Sequence, residues 1–113
     1  MIGYDQSNRN SFWEQLAANG YYPMNIKVPC EADCSSGVLA IVKATGYVVG
    51  NDALKNVSQY GYTGNERAIL SAAGFEVLNG SQYLTSDNYL YAGDILLNEE
   101  NHTCICVTNG IYA

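Results

Sequence analysis

Apolar residues recur at helical spacing in the first two thirds of the chain and at short, strand-like spacing in the last third. In SFWEQLAA, from Ser11 to Ala18, the residues Phe12, Trp13 and Leu16 form a stripe at i, i+1 and i+4. Asn19-Gly20 supplies a stop, so a first helix is expected there. Residues 21–29 read as extended, because Pro23 and Pro29 disfavour helix at the residue before each. Asp33 stands just before CSSGVLAIVKATG as an N-cap, where its carboxylate can accept free backbone N–H groups. Residues 38–44 are apolar nearly all round, which predicts a helix buried in the middle of the domain and ended by Gly46.

Residues 47–62 are rich in Gly, Asn and Tyr and read as the largest loop. Thr63-Gly64-Asn65-Glu66 matches a capping box, Thr63 reaching forward and Glu66 back, opening a helix that Gly74 closes. A strand at 75–78 and a turn at Asn79-Gly80 follow. Ala92-Gly93-Asp94 reads as a turn, 95–97 as a short buried strand and Glu99-Glu100-Asn101 as a polar turn. Residues 102–107 alternate and end at the turn signal Asn109-Gly110. His102, Cys104 and Cys106 would share one face, the candidate core face, with Ile105 and Val107 opposite. Helices first and strands last is an α+β order rather than alternating βαβ.

Composition narrows the class. The 113 residues suit one domain, and the hydrophobic fraction of 48% lies in the globular range, which excludes disorder. The net charge is -6, and Arg9, Lys27, Lys43, Lys55 and Arg67 are scattered, so no basic stripe offers itself to nucleic acid. No run approaches the roughly 20 apolar residues that span a bilayer, and no membrane partner is expected. The N-terminus lacks a basic region followed by an apolar stretch. The expectation is therefore a protein made in the cytosol without a signal peptide, or a domain of something longer.

Four Cys and one His carry the candidate chemistry. Cys34 would open the buried helix, where the partial positive charge of a helix N-terminus favours a thiolate, the nucleophilic form. First-turn N–H groups, those of Cys34 and Ser35, would also suit an oxyanion. A small buried thiol is the plain alternative. His102 is the sole imidazole and sits at the start of a strand. A nucleophilic Cys needs a base that is near in space but not in sequence. Cys30-x3-Cys34 and His102-x-Cys104-x-Cys106 also offer five possible zinc ligands, although Cys-x-Cys on one strand is unusual spacing. A bridge within either Cys pair fits disulfide geometry poorly, and a cross-pairing of Cys30 with a cysteine of the other pair stays open. Asp5, Asp33, Glu66, Asp94, Glu99 and Glu100 form no carboxylate pair spaced for glycoside hydrolysis.

The string Asp33-Cys34-Ser35-Ser36 opening an apolar helix, then GDILL at 93–97, then His102-Thr103 leading a strand to Asn109-Gly110, resembles the NlpC-type papain-like peptidoglycan hydrolases. Gly3-Tyr4-Asp5-Gln6 with Arg9, and Pro29-Cys30-Glu31, resemble the phage lysin and prophage branch of that group. The resemblance implies a single papain-like catalytic domain over 1–113, with N-terminal helices packed on a C-terminal antiparallel sheet. It implies Cys34 as nucleophile and His102 as base. Tyr4 would stand near the oxyanion, Asp5 near the substrate, and no metal or other cofactor would take part. The partner implied is the stem peptide of bacterial peptidoglycan, with room for a cell-wall-binding domain outside this chain. The family's third polar residue would fall on a strand starting at Ile111, at or past the end of the chain. The rival expectation is a non-catalytic cell-wall-binding or zinc-stabilised module.

Overall fold

A 16-residue helix organises the molecule because both of its flanks are apolar. The computed structural model describes residues 2–111. Its elements are β1 (Ile2–Tyr4), α1 (Ser11–Ala18), β2 (Cys30–Ala32), α2 (Cys34–Val49), α3 (Asp52–Lys55), α4 (Thr63–Ala72), α5 (Ser81–Leu84), β3 (Ile95–Asn98) and β4 (His102–Ile105), with a 3-10 turn at Pro23–Asn25. The class is α+β. The strands form two separate pairs, β1 with β2 in parallel and β3 with β4 antiparallel.

The central helix α2 serves two cores. Ala40 and Ala44, one turn apart, face Phe12, Leu16, Ile26 and Cys30. Their small side chains let α1 and β2 approach closely. Val38, Leu39 and Val42 face Val57 and Leu70, with Ile95 and Ile105 of the hairpin packed against them. Ile41, Val48 and Val49 remain exposed, so the helix is two-faced rather than buried all round.

Gly46 does not end this helix. It lies inside it, and Gly50, at φ 74°, is the left-handed C-cap. The expected loop at 47–62 is correspondingly shortened by the last turn of α2 and by α3. What Gly46 supplies is proximity. A Cβ there would stand 2.5 Å from the Lys55 backbone N and 2.7 Å from Leu54 Cβ. Gly46→Ala is therefore expected to destabilise by about 1–3 kcal/mol, overriding the ~1 kcal/mol by which Ala favours a helix. Thermal unfolding should show a fall of roughly 4 °C or more. An unchanged or raised midpoint would mean that α3 can move away freely.

Three further local expectations change. Residues 75–78 form no strand, and the segment runs irregularly into α5. The N-cap of α4 is Tyr62, whose N–H donates to Asn65 Oδ1 at 2.9 Å, and Glu66 turns inward instead of capping. On β4 it is Thr103 and Ile105 that face the core, while His102 and Cys104 face out. Packing decides this: Ile105 pairs with Ile95 across the hairpin, and both join the α2 core. The strand expected from Ile111 falls on Tyr112 and Ala113, which lie outside the described residues. Among the described residues no helix is long and apolar enough to cross a membrane.

Candidate active site

Cys34 is the first residue of α2 and is half-buried. Asp33 caps the helix, its Oδ1 accepting the Ser36 N–H at 2.9 Å, while Ser36 Oγ accepts the Asp33 N–H at 2.9 Å. This reciprocal cap uses the third N–H of the first turn and leaves those of Cys34 and Ser35 without a capping partner. Two N–H groups flanking a thiol at a helix N-terminus are suited to hold an oxyanion.

Arg9 fixes this end of the helix. Its Nε donates to Asp33 Oδ2 at 2.8 Å, and its Nη2 to Ser35 Oγ at 2.9 Å and to the Gly61 carbonyl at 2.6 Å. Burial alone would raise the Asp33 carboxyl, but the Arg9 guanidinium and Ser36 outweigh it and hold Asp33 below its ordinary 3.8. The Ser35 hydroxyl is thus occupied and buried, so Ser35 can meet a substrate only through its backbone.

Tyr4 and Asp5 reach the same neighbourhood through the parallel strand pair. Tyr4 is in register with Ala32, two residues before Cys34, and is 66% exposed. The Asp5 N–H donates to the Ala32 carbonyl at 3.2 Å. Its carboxylate accepts the Ser7 hydroxyl at 2.7 Å and the Ser7 N–H at 2.8 Å. Ser7, and then Glu31, hold Asp5 below its ordinary value, while the bond with Asp5 pushes Glu31 above its own.

His102 opens β4 opposite Asn98 and is exposed. It lines a cleft of about 600 Å³ with Phe75, Tyr83, Leu84, Leu90 and Cys104. Cys34 is not among the lining residues of that cleft. Although the core face of β4 packs against α2, the outward register of His102 directs its ring away from that contact. Cys30 is buried, and burial pushes its thiol up. All four cysteines are free, and among the described residues no three His, Cys, Asp or Glu converge as a metal site.

Glu66, expected as a cap, instead anchors the strand that carries His102. Glu66 is fully buried, and its Oε2 lies 2.6 Å from Thr103 Oγ1, which in turn lies 3.1 Å from the Leu96 carbonyl. A hydroxyl has one proton and cannot donate to both oxygens. A protonated Glu66 satisfies the chain: it donates to Thr103, and Thr103 donates to Leu96. Burial raises the Glu66 carboxyl, and Thr103 offsets only part of that.

An acid raised in the folded state contributes stability that is full below its ordinary 4.5 and lost as pH rises through the folded value. Wild type should therefore lose stability relative to Glu66→Gln between about pH 5 and pH 8, because Gln keeps a donor that cannot ionise. Urea unfolding at the two pH values checks this. A constant gap between the two proteins would show that Glu66 does not titrate in that window. The sequence signal for Glu66 was slight: its helical register with Leu70 put it on the core face.

No curated protein and no solved structure matches this chain. The model of the endolysin-like domain matches residues 1–113, its whole length, and the chain belongs to that family.

Proposed function

We propose that the chain is a cysteine peptidoglycan hydrolase that cleaves an amide bond of the bacterial cell wall. Membership of the endolysin-like family supports a lysin role at the wall. The observation that carries the finer reading is Cys34 at the first position of a long helix, half-exposed, with two uncapped N–H groups beside it. The Cys34 thiolate attacks the carbonyl carbon of a stem-peptide or cross-bridge amide. The N–H groups of Cys34 and Ser35 receive the oxyanion, with Tyr4 at the rim. His102 takes the thiol proton and delivers it to the departing amine, and water then releases the acyl group from sulfur.

The base role requires the imidazole to come within about 3 Å of the sulfur or of the leaving nitrogen. No hydrogen bond joins the two side chains in the unliganded molecule, and catalytic hydrogen bonds commonly tighten only in the substrate complex. Clearing of Gram-positive wall suspensions by wild type, lost in Cys34→Ser, tests this reading. Mass spectrometry of the released fragments separates an endopeptidase from an N-acetylmuramoyl-L-alanine amidase.

A further inference from the structure

A second cleft, of about 550 Å³, is lined in part by Arg9. Its lining is rich in amides, with Gln6, Asn8, Asn10 and Gln59, and it carries two aromatic rings, Trp13 and Tyr60. Gln59 is 5% exposed, and its Oε1 is buried without a hydrogen-bond partner. Asn10 Oδ1 is buried and unpartnered as well. Asn10 occupies the N-cap position of α1, where an Asn normally spends its oxygen on the helix, yet it makes no cap bond. Buried polar atoms are nearly always paired in folded chains, so two unpartnered acceptors in the wall of one cleft point to a ligand that donates. The cleft's cation, Arg9, is already committed to Asp33, so the cleft does not call for an anion.

We propose that this cleft is a subsite for a neutral, hydroxyl-rich sugar, the glycan strand of the wall, whose O–H and N–H groups donate to Gln59 and Asn10. The exposed ring of Tyr60 offers an apolar face to the C–H side of a pyranose, while Trp13, which Lys43, Tyr21 and Tyr47 pack against, lines the cleft. The site deepens the hydrolase reading, on which its wall-directed role rests. Arg9 joins the two regions, since the side chain that lines this cleft also bonds both neighbours of Cys34, and Tyr60 and Gly61 carry the cleft wall to the same guanidinium. A sugar held here would set the stem peptide hanging from it beside the sulfur.

Trp13 is the only tryptophan, so its fluorescence reads the cleft directly. The experiment titrates an N-acetylglucosamine tetramer into the full chain carrying Cys34→Ser, with an alanyl-γ-glutamyl-lysine tripeptide as the comparison. A saturable change with the tetramer is expected, weakened roughly tenfold or more by Gln59→Leu and by Tyr60→Ala. Tyr60 is 73% exposed, so Tyr60→Ala keeps the test valid if Gln59→Leu fails to fold. Saturation by the tripeptide alone, no saturation by either probe, or tetramer binding indifferent to Tyr60→Ala overturns the proposal. Binding is read in a chain without the nucleophile, so persistent wall lysis by Cys34→Ser would overturn the hydrolase mechanism while leaving the sugar result standing.

Discussion

Cys34→Ser should lose at least roughly 1000-fold of the wall-lysing rate while keeping its fold. The substitution changes one atom at a half-buried position that makes no side-chain hydrogen bond, so packing is nearly conserved. What changes is nucleophilicity, because a serine hydroxyl ionises far less readily than a thiol and is the weaker nucleophile at this position. On the proposed mechanism His102→Ala should cost a similar factor, and the double variant little more, because a nucleophile and its base act as one unit. His102 is exposed on an outward strand position, so its removal leaves the core intact.

Turbidity loss of Gram-positive walls, with circular dichroism as the folding control, measures all three variants. Lysis retained by Cys34→Ser sinks the mechanism. Lysis retained by His102→Ala alone would reassign the base and leave Cys34 in place. Iodoacetamide adds an independent readout: Cys34 should be alkylated faster than Cys30, whose buried thiol is raised. Cys104 is exposed and is best removed as Cys104→Ser before the rates are compared.

Local signals carried much of the helical half of this fold. The bounds of α1, the Asp33 cap and the turn at residues 99–101 follow from periodicity and capping chemistry within a few residues of each feature. Long-range packing set the rest. Gly46 has the composition of a stop, and only the approach of Leu54 and Lys55 makes it an interior residue. The alternation on β4 is equally consistent with either face inward, and contact of Ile95 and Ile105 with α2 chooses between them. Cys34 was visible because its environment is made by its immediate neighbours. The Arg9 clamp was not, because Arg9 and Asp33 are 24 residues apart and Arg9 and Gly61 are 52 apart. The parallel pairing of β1 with β2 was hidden for the same reason, each strand being only three residues long.

Arg9→Ala should destabilise the chain by about 3 kcal/mol at neutral pH. The side chains of Arg9 and Asp33 are only 20% and 11% exposed, so removing the guanidinium leaves a buried carboxylate uncompensated. It also leaves the Gly61 carbonyl without its donor and frees the loop that carries Gln59 and Tyr60. Arg9→Lys keeps the charge but not the fork, since one ammonium group cannot reach Asp33, Ser35 and Gly61 in three directions, and most of the loss should remain.

The pH dependence identifies the cause. Asp33 is held below its ordinary 3.8, so the stability it contributes is present above that value and disappears as pH falls through the folded one. The gap between wild type and Arg9→Ala should therefore narrow from about pH 7 to about pH 3. Asp33→Asn should be destabilised as well, and a cycle with the double variant should show strong coupling between the two sites. A gap that stays constant into acid would mean that Arg9 acts through the carbonyls of Tyr60 and Gly61 rather than through the cap. The helix end that presents Cys34 would then be held from the loop side, and Asp33→Asn would leave wall lysis largely intact where Arg9→Ala removes it.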